Sequence, residues 1–185
     1  MKHTIYIETY GCQMNINDTT IVQSIMLSAG YSLADTIADA DIILLNTCSV
    51  RENAEKKIRN RLTTIYHQLK KRTTNVVFGV LGCMAERLGE GLIDSGKLIN
   101  IVVGPDEYRR LPELVANCFE GGSEVAVDLC GREVYGDIVP FRSGGATSFI
   151  SIMRGCNNFC SYCVVPYTRG RERSRSDLSI FSEVE

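Results

Sequence analysis

Short continuous apolar runs alternate with helix-spaced stretches along the first 120 residues, and this alternation constrains the fold more than any other feature of the sequence. Thr4 to Tyr10 is rich in β-branched and aromatic residues and reads as a strand. Asn17 to Ala29 reads as a helix with Ile21, Ile25, Leu27 and Ser28 near one face, Asn17 or Asp18 as its cap and Gly30 as its stop. Asp41 to Asn46 is apolar on consecutive positions, as a strand buried on both faces requires. Glu52 to Lys71 is a long charged helix whose inner stripe is Ile58, Leu62, Ile65 and Leu69. A strand over Asn75 to Leu81, a helix over Met84 to Ile93, a strand over Ile99 to Val103 and a helix over Glu107 to Phe119 complete the series. Strands that alternate with helices predict a doubly wound α/β domain, a parallel sheet covered on both faces, over residues 1–120.

Gly121-Gly122 opens a looser stretch closed by Ser143-Gly144-Gly145, so 121–146 reads as a connector. An apolar strand over Ser148 to Met153 then starts a second domain, 147–185. The 38 residues from 148 onward are far short of the roughly 200 that a closed β/α barrel needs, so the expectation is a barrel cut off near its start.

The chain has eight cysteines and 185 residues. No apolar run approaches the roughly 18 residues of a membrane span, and MKHTIYIETYGCQMN lacks the layout of a signal peptide. The expected compartment is the cytoplasm, where thiols stay reduced, so metal or redox use is favoured over a disulfide framework. Cys12, Cys48 and Cys83 each lie just past the C-terminal end of a predicted strand, 36 and 35 residues apart. In an open parallel sheet these ends share one edge, the edge at which ligands bind. Helix N-termini beside them would favour thiolates. Three thiolates match structural zinc, which closes its shell with four ligands, less well than an iron–sulfur cluster with one open iron. Cys118 and Cys130 lack this placement and read as structural, and His3 and His67 as ordinary surface or capping residues.

The second constellation is Cys156-Asn-Asn-Phe-Cys160-Ser-Tyr-Cys163, directly after the strand SFISIM. Spacings of three and then two residues let one loop wrap three thiolates around a cubane and leave its fourth iron free. No histidine is near enough to complete a zinc shell, and a redox CxxC pair would not need Cys156.

This motif after a first strand resembles the radical S-adenosylmethionine superfamily. Together with TYGCQMN at 9–15, NTCSVRENAE at 46–55, GVLGCMAER at 79–87 and RGCNNFCSYCVVPYTRGRERSRS at 154–176, it resembles the radical S-adenosylmethionine methylthiotransferases over essentially the whole chain. Gln13 and Met14 after the first cysteine look like the branch acting on tRNA; the ribosomal-protein branch typically has Pro-Lys there and the threonylcarbamoyl-adenosine branch Lys-Val. The resemblance implies an enzyme with two [4Fe-4S] clusters. One, on Cys156, Cys160 and Cys163, binds S-adenosylmethionine and makes the radical, with Tyr162 against the adenine. The other, on Cys12, Cys48 and Cys83, holds the sulfur that is methylated and inserted. The implied reaction transfers a methylthio group to C2 of N6-dimethylallyladenosine next to the anticodon, consuming two S-adenosylmethionine. The implied partners are the tRNA anticodon stem-loop, an electron donor such as a flavodoxin or ferredoxin, and a sulfur donor; a monomer is the default. The chain departs from the family in lacking most of the radical barrel and the C-terminal RNA-binding domain, so it is expected to be inactive by itself.

Net charge is −2, yet residues 51–72 carry a local +6 and residues 151–175 a local +4. The basic helix either faces the anticodon stem or is plain solvated surface. The arginines of TRGRERSR could meet phosphate, S-adenosylmethionine or barrel carboxylates. Rival readings are a protein or threonylcarbamoyl-adenosine substrate within the family, and a zinc- or cluster-binding scaffold outside it.

Overall fold

A computed structural model describes residues 3–49, 52–72, 75–93, 99–142, 144 and 147–184. Arg51, at the start of the basic window, and Ser143, Gly145 and Ala146, at the end of the connector, lie outside the described residues. The chain runs β1 (Thr4–Thr9), α1 (Gln13–Ser28), β2 (Ser32–Leu33), β3 (Ile42–Thr47), α2 (Glu52–Leu69), β4 (Val77–Gly82), α3 (Cys83–Leu88), β5 (Ile101–Val103), α4 (Leu111–Phe119) and β6 (Glu124–Ala126). The strands form one six-stranded sheet in the order β2-β1-β3-β4-β5-β6, and every pairing in it is parallel. This is the doubly wound α/β architecture expected from the alternation.

Side-chain alternation along the strands explains why both faces are covered. Ile42 and Leu44 of β3 pack with Ile21, Val22 and Met26 of α1 and with Leu111, Leu114 and Val115 of α4. Ile43 and Leu45 point the other way, onto Ile58, Leu62, Ile65 and Leu69 of α2 and Met84 and Ala85 of α3. All four members of the predicted α2 stripe are buried, each contributing about 1.5–3 kcal/mol of apolar transfer.

Several local expectations are corrected. Helix α1 begins four residues earlier than its spacing suggested, with Cys12 as N-cap, so Asn17 and Asp18 are buried in its interior and are not caps. The face turned to the sheet also differs from the expected one. Val22 and Met26 are buried with Ile21, while Ile25 and Leu27 are partly covered and Ser28 is exposed. The signal was hidden because the first half of the buried face is polar, with Asn15, Asn17, Asp18 and Thr19 turned inward. The stretch read as a connector contains β6, which adds a sixth strand beside β5. It also contains Tyr135, whose ring is buried against Tyr108.

Beyond it, the strand expected over 148–153 is reduced to β7 (Met153–Arg154), which pairs antiparallel with β8 (Arg173–Ser174). Among the described residues no strand lies beside 148–152 to supply the ladder that an extended apolar segment needs. Short helices α5 (Val165–Thr168) and α6 (Asp177–Val184) complete the chain. Among the described residues, no helix is long and apolar enough to cross a membrane.

Candidate metal centre

Register brings the first three cysteines to one edge of the sheet. Thr9 of β1 sits opposite Asn46 of β3, and Asn46 sits opposite Leu81 of β4. Cys12, Cys48 and Cys83 follow those positions by only two or three residues on three adjacent strands, at the C-terminal edge of the sheet.

A polar clamp fixes the approach. The Asn15 amide donates to Asn46 Oδ1 and to the Thr47 carbonyl, both at 3.0 Å, and its own Oδ1 accepts from the Cys12 N–H at 3.3 Å. Asn46 in return donates to the Asn15 carbonyl at 2.8 Å and to Thr19 Oγ1 at 3.0 Å. Both amides are buried and have partners, and losing either one would leave several polar groups stranded at about 1–3 kcal/mol each. Two glycines permit the close packing. Gly11 has φ of 148°, and a Cβ there would lie 2.8 Å from Cys48 Cβ. Gly82, φ 88°, would press a Cβ to 2.6 Å from both Asn46 Oδ1 and the Thr47 carbonyl oxygen.

The Cys48 thiol lies beside Cys12 as a hydrogen-bond donor to its sulfur. That bond, the amide N–H groups of Asn15 and Met14 at the start of α1, and the charge of Arg169 outweigh burial and lower the Cys12 thiol to about 5. Cys83 accepts a hydrogen bond from Arg169 Nε at 3.2 Å. The second trio lies on one loop: Cys156 and Cys163 are half-buried and Cys160 is exposed. Its Cys156 N–H is held by the Gly170 carbonyl at 3.1 Å, and the Cys163 N–H by the Cys160 carbonyl at 2.9 Å. Between them Phe159 takes φ of 46°, an unusual value for a bulky residue, with Arg171 over its ring. Tyr162 is 90% exposed. Among the described residues, no three His, Cys, Asp or Glu side chains form a preassembled metal cage.

Three sulfur donors on one sheet edge, one of them held toward the thiolate, are a soft ligand set of the kind that holds iron–sulfur groups. The remaining cysteines lie outside it. Cys118 is buried and its thiol is pushed up to about 11 by burial, as a packed structural thiol should be. Cys130 is exposed beside Asp106. His3 stacks on Phe119 and pairs with Asp41.

Sequence reasoning missed the centre's support. Asp18, 1% exposed, receives Arg154 Nη1 at 2.8 Å and Arg169 Nη2 at 2.7 Å. Burial raises its carboxyl, but the two guanidiniums outweigh that and hold it below the ordinary carboxylate range. Arg154 also donates to the Pro105 carbonyl and lies over the Tyr135 ring. Arg173 pairs with Asp106 at 2.8 Å, and Arg175 with Glu183 at 2.5 Å. Among the arginines of residues 151–175 only Arg171 is exposed, so this basic window serves internal carboxylates. A buried aspartate three residues past Gln13-Met14-Asn15 was the available signal, but it looks like a helix cap until the helix start is known.

Residues 4–104 match the sequence profile of the uncharacterized protein family UPF0004. The chain belongs to that family. Its UPF0004 region contains β1 to β5 and the first three cysteines. The chain is also similar to curated proteins named tRNA-2-methylthio-N(6)-dimethylallyladenosine synthase. That of Porphyromonas gingivalis is 54% identical over 188 aligned positions, covering 99% of this chain and 40% of the relative. That of Bacteroides thetaiotaomicron is 53% identical over 182, covering 97% and 40%. That of Chloroherpeton thalassium is 52% identical over 184, covering 100% and 41%. The UPF0004 chain thus spans about 40% of the length of these relatives. The resemblance to methylthiotransferases read from the four motifs is borne out.

Proposed function

We propose that this chain is the cluster-bearing N-terminal part of a tRNA methylthiotransferase that converts N6-dimethylallyladenosine, next to the anticodon, to its 2-methylthio form. The observation that carries the reading is the gathering of Cys12, Cys48 and Cys83 on one sheet edge in a chain half identical to synthases of that name. Cys12, Cys48 and Cys83 hold one [4Fe-4S] cluster, and Cys156, Cys160 and Cys163 hold a second that takes S-adenosylmethionine. Tyr162, exposed and between two of the loop cysteines, is free to lie against its adenine. When bound, these groups supply a carbon radical able to remove an aromatic hydrogen and the sulfur that replaces it.

The protein's own part is placement. The Asn15–Asn46 clamp orients Cys12 against Cys48, the amides at the start of α1 stabilise negative sulfur, and Arg169 adds a donor at Cys83. Residues 1–120 serve as the sulfur-carrying domain, 121–146 as a connector with one added strand, and 147–185 as the start of the radical domain. The partners are the anticodon stem-loop of tRNA, an electron donor such as a flavodoxin or ferredoxin, and a sulfur donor, all in the cytoplasm.

The test is anaerobic reconstitution followed by iron and sulfide counts on three proteins: the parent chain, Cys12, Cys48 and Cys83→Ala together, and Cys156, Cys160 and Cys163→Ala together. The parent should be brown with about eight irons, and each triple substitution should remove about half. A colourless zinc-bearing product, or iron lost from both sites when one trio is replaced, overturns the reading.

A further inference from the structure

The two thiol groups are joined by one dipeptide. The Arg169 side chain, 2% exposed, is held by Asp18 through Nη2 and donates Nε–H to Cys83 Sγ at 3.2 Å. The next residue, Gly170 (φ 71°), offers its carbonyl to the Cys156 N–H at 3.1 Å. The backbone is fixed on both sides of this point. Arg169 N–H closes α5 on the Val165 carbonyl at 2.8 Å, and a Cβ at Gly155 would lie 2.6 Å from the Gly170 carbonyl oxygen.

We propose that Arg169 is a positioning residue that seats the CxxxCxxC loop on the first thiol group, so that the state of Cys83 sets how firmly Cys156 is held. Arginine suits the task because its rigid planar fork can give one edge to a carboxylate and a separate N–H to sulfur. A lysine keeps the charge beside Asp18 but cannot meet both partners in fixed directions. Mechanical continuity follows from burial: neither the guanidinium nor Asp18 has solvent to relax into, so a change at Cys83 Sγ is passed to the 169–170 backbone. As a device that fixes the separation of two iron–sulfur sites, this link rests on the function proposed above. As a contact within the metal-free chain it does not.

The test separates the two. In the metal-free chain, hydrogen exchange at the residue 156 amide is measured for the parent, Cys83→Ala, Arg169→Lys and the double variant, with the Cys163 amide as a control inside the same loop. Each single change should speed exchange at 156 about fivefold, the size of an ordinary contact coupling, and leave 163 unchanged. The double variant should be no faster than Arg169→Lys alone. Additive effects, or an unchanged 156 amide in Cys83→Ala, overturn the proposal, and the latter needs no substitution at Arg169. The chain with Cys156, Cys160 and Cys163→Ala is then loaded with iron and sulfide. Slower exchange at position 156 on loading, lost in Arg169→Lys, extends the link to the loaded centre. Failure to take up iron overturns the cluster reading while the metal-free cycle still decides the link.

Discussion

Replacing Asp18 with asparagine tests the buried charge network on which both thiol groups rest. The side chain keeps its shape and loses its charge, so the change isolates electrostatics from packing. Two guanidiniums, 3% and 2% exposed at Arg154 and Arg169, then lie in the interior without a carboxylate. Removing one partner of a buried ion pair costs about 3–5 kcal/mol, because the remaining charge cannot regain its hydration. Arg154 retains the Pro105 carbonyl and the Tyr135 ring, which places the cost at the lower end of that range. Against a total stability of about 5–15 kcal/mol, 3 kcal/mol is a large share and lowers the melting temperature by roughly 10 °C at this chain length. The sign with pH is fixed too. Asp18 sits below its ordinary value in the folded chain, so its contribution is full above about pH 4 and is lost as pH falls through the folded value. Urea unfolding of the parent, Asp18→Asn, and Asp18→Asn with Arg154→Met and Arg169→Met gives the comparison. The triple variant should recover part of the loss, since it leaves no charge unpaired. A cost under about 1 kcal/mol for Asp18→Asn alone would refute the reasoning.

Glu86→Gln should flatten the pH dependence of stability: burial, then Asp106, Asp128 and Glu107, raise the Glu86 carboxyl to about 7, so it stabilises the fold only while protonated, an effect full below about pH 4 and lost as pH rises through 7. Because this carboxyl is partly exposed, screening reduces the expected gain at pH 8 to about 1–2 kcal/mol, read as the difference in urea midpoints at pH 5 and pH 8. Gly11→Ala should cost about 1–3 kcal/mol from its positive φ and the contact at Cys48, and should lower iron per chain when the second trio is absent; normal iron content would show that the approach is not needed. On the proposed function, joint replacement of exposed Lys56, Lys57 and Arg59 by Gln should weaken tRNA binding and reduce its salt slope by up to about 3, whereas an unchanged slope would leave that helix as plain surface.

The legible part of this fold was the part decided by apolar periodicity. β3 and β4 are buried at every position, so their unbroken apolar runs could mean little else, and the α2 stripe stands out against a heavily charged outer face. The shared sheet edge of Cys12, Cys48 and Cys83 was legible for the same reason, because a parallel sheet sends every strand's C-terminal end to one edge. What escaped was set by polar contacts over long sequence separations. Helix α1 hides its true start because Asn15, Asp18 and Thr19 face inward to meet Asn46, Arg154 and Thr9. Nothing near those residues in sequence announces such partners, 136 positions away in the case of Arg154. β6 was missed because three residues at the edge of a sheet need few apolar contacts to be held by their neighbour.

The arginines of TRGRERSR carry the argument one step further. A basic cluster in a chain proposed to serve a tRNA-modifying enzyme invites a phosphate assignment, and the geometry favours another role. Arg169 and Arg173 reach into the α/β domain to Asp18 and Asp106, and Arg175 braces α6 through Glu183. Charges committed to buried carboxylates release no counterions when RNA arrives, so they add nothing to a salt-dependent affinity. Their effect is instead to fasten a segment with few apolar contacts of its own: Phe149, Ile152, Leu178 and Phe181 are all exposed, and the ion pairs hold residues 153–175 against the sheet edge. If electrostatic docking replaces apolar packing here, the segment should loosen as salt rises while the α/β core, held by Ile43, Leu45 and Phe78, does not. Protease cleavage within 147–176 that accelerates between 0.05 and 1 M salt, with 1–120 intact, is the expected outcome, and buried pairs should limit the acceleration to a few-fold. Cleavage independent of salt in the parent, yet sharply faster in Arg173→Gln, would mean that directional hydrogen bonds carry the docking and that net charge is incidental to it.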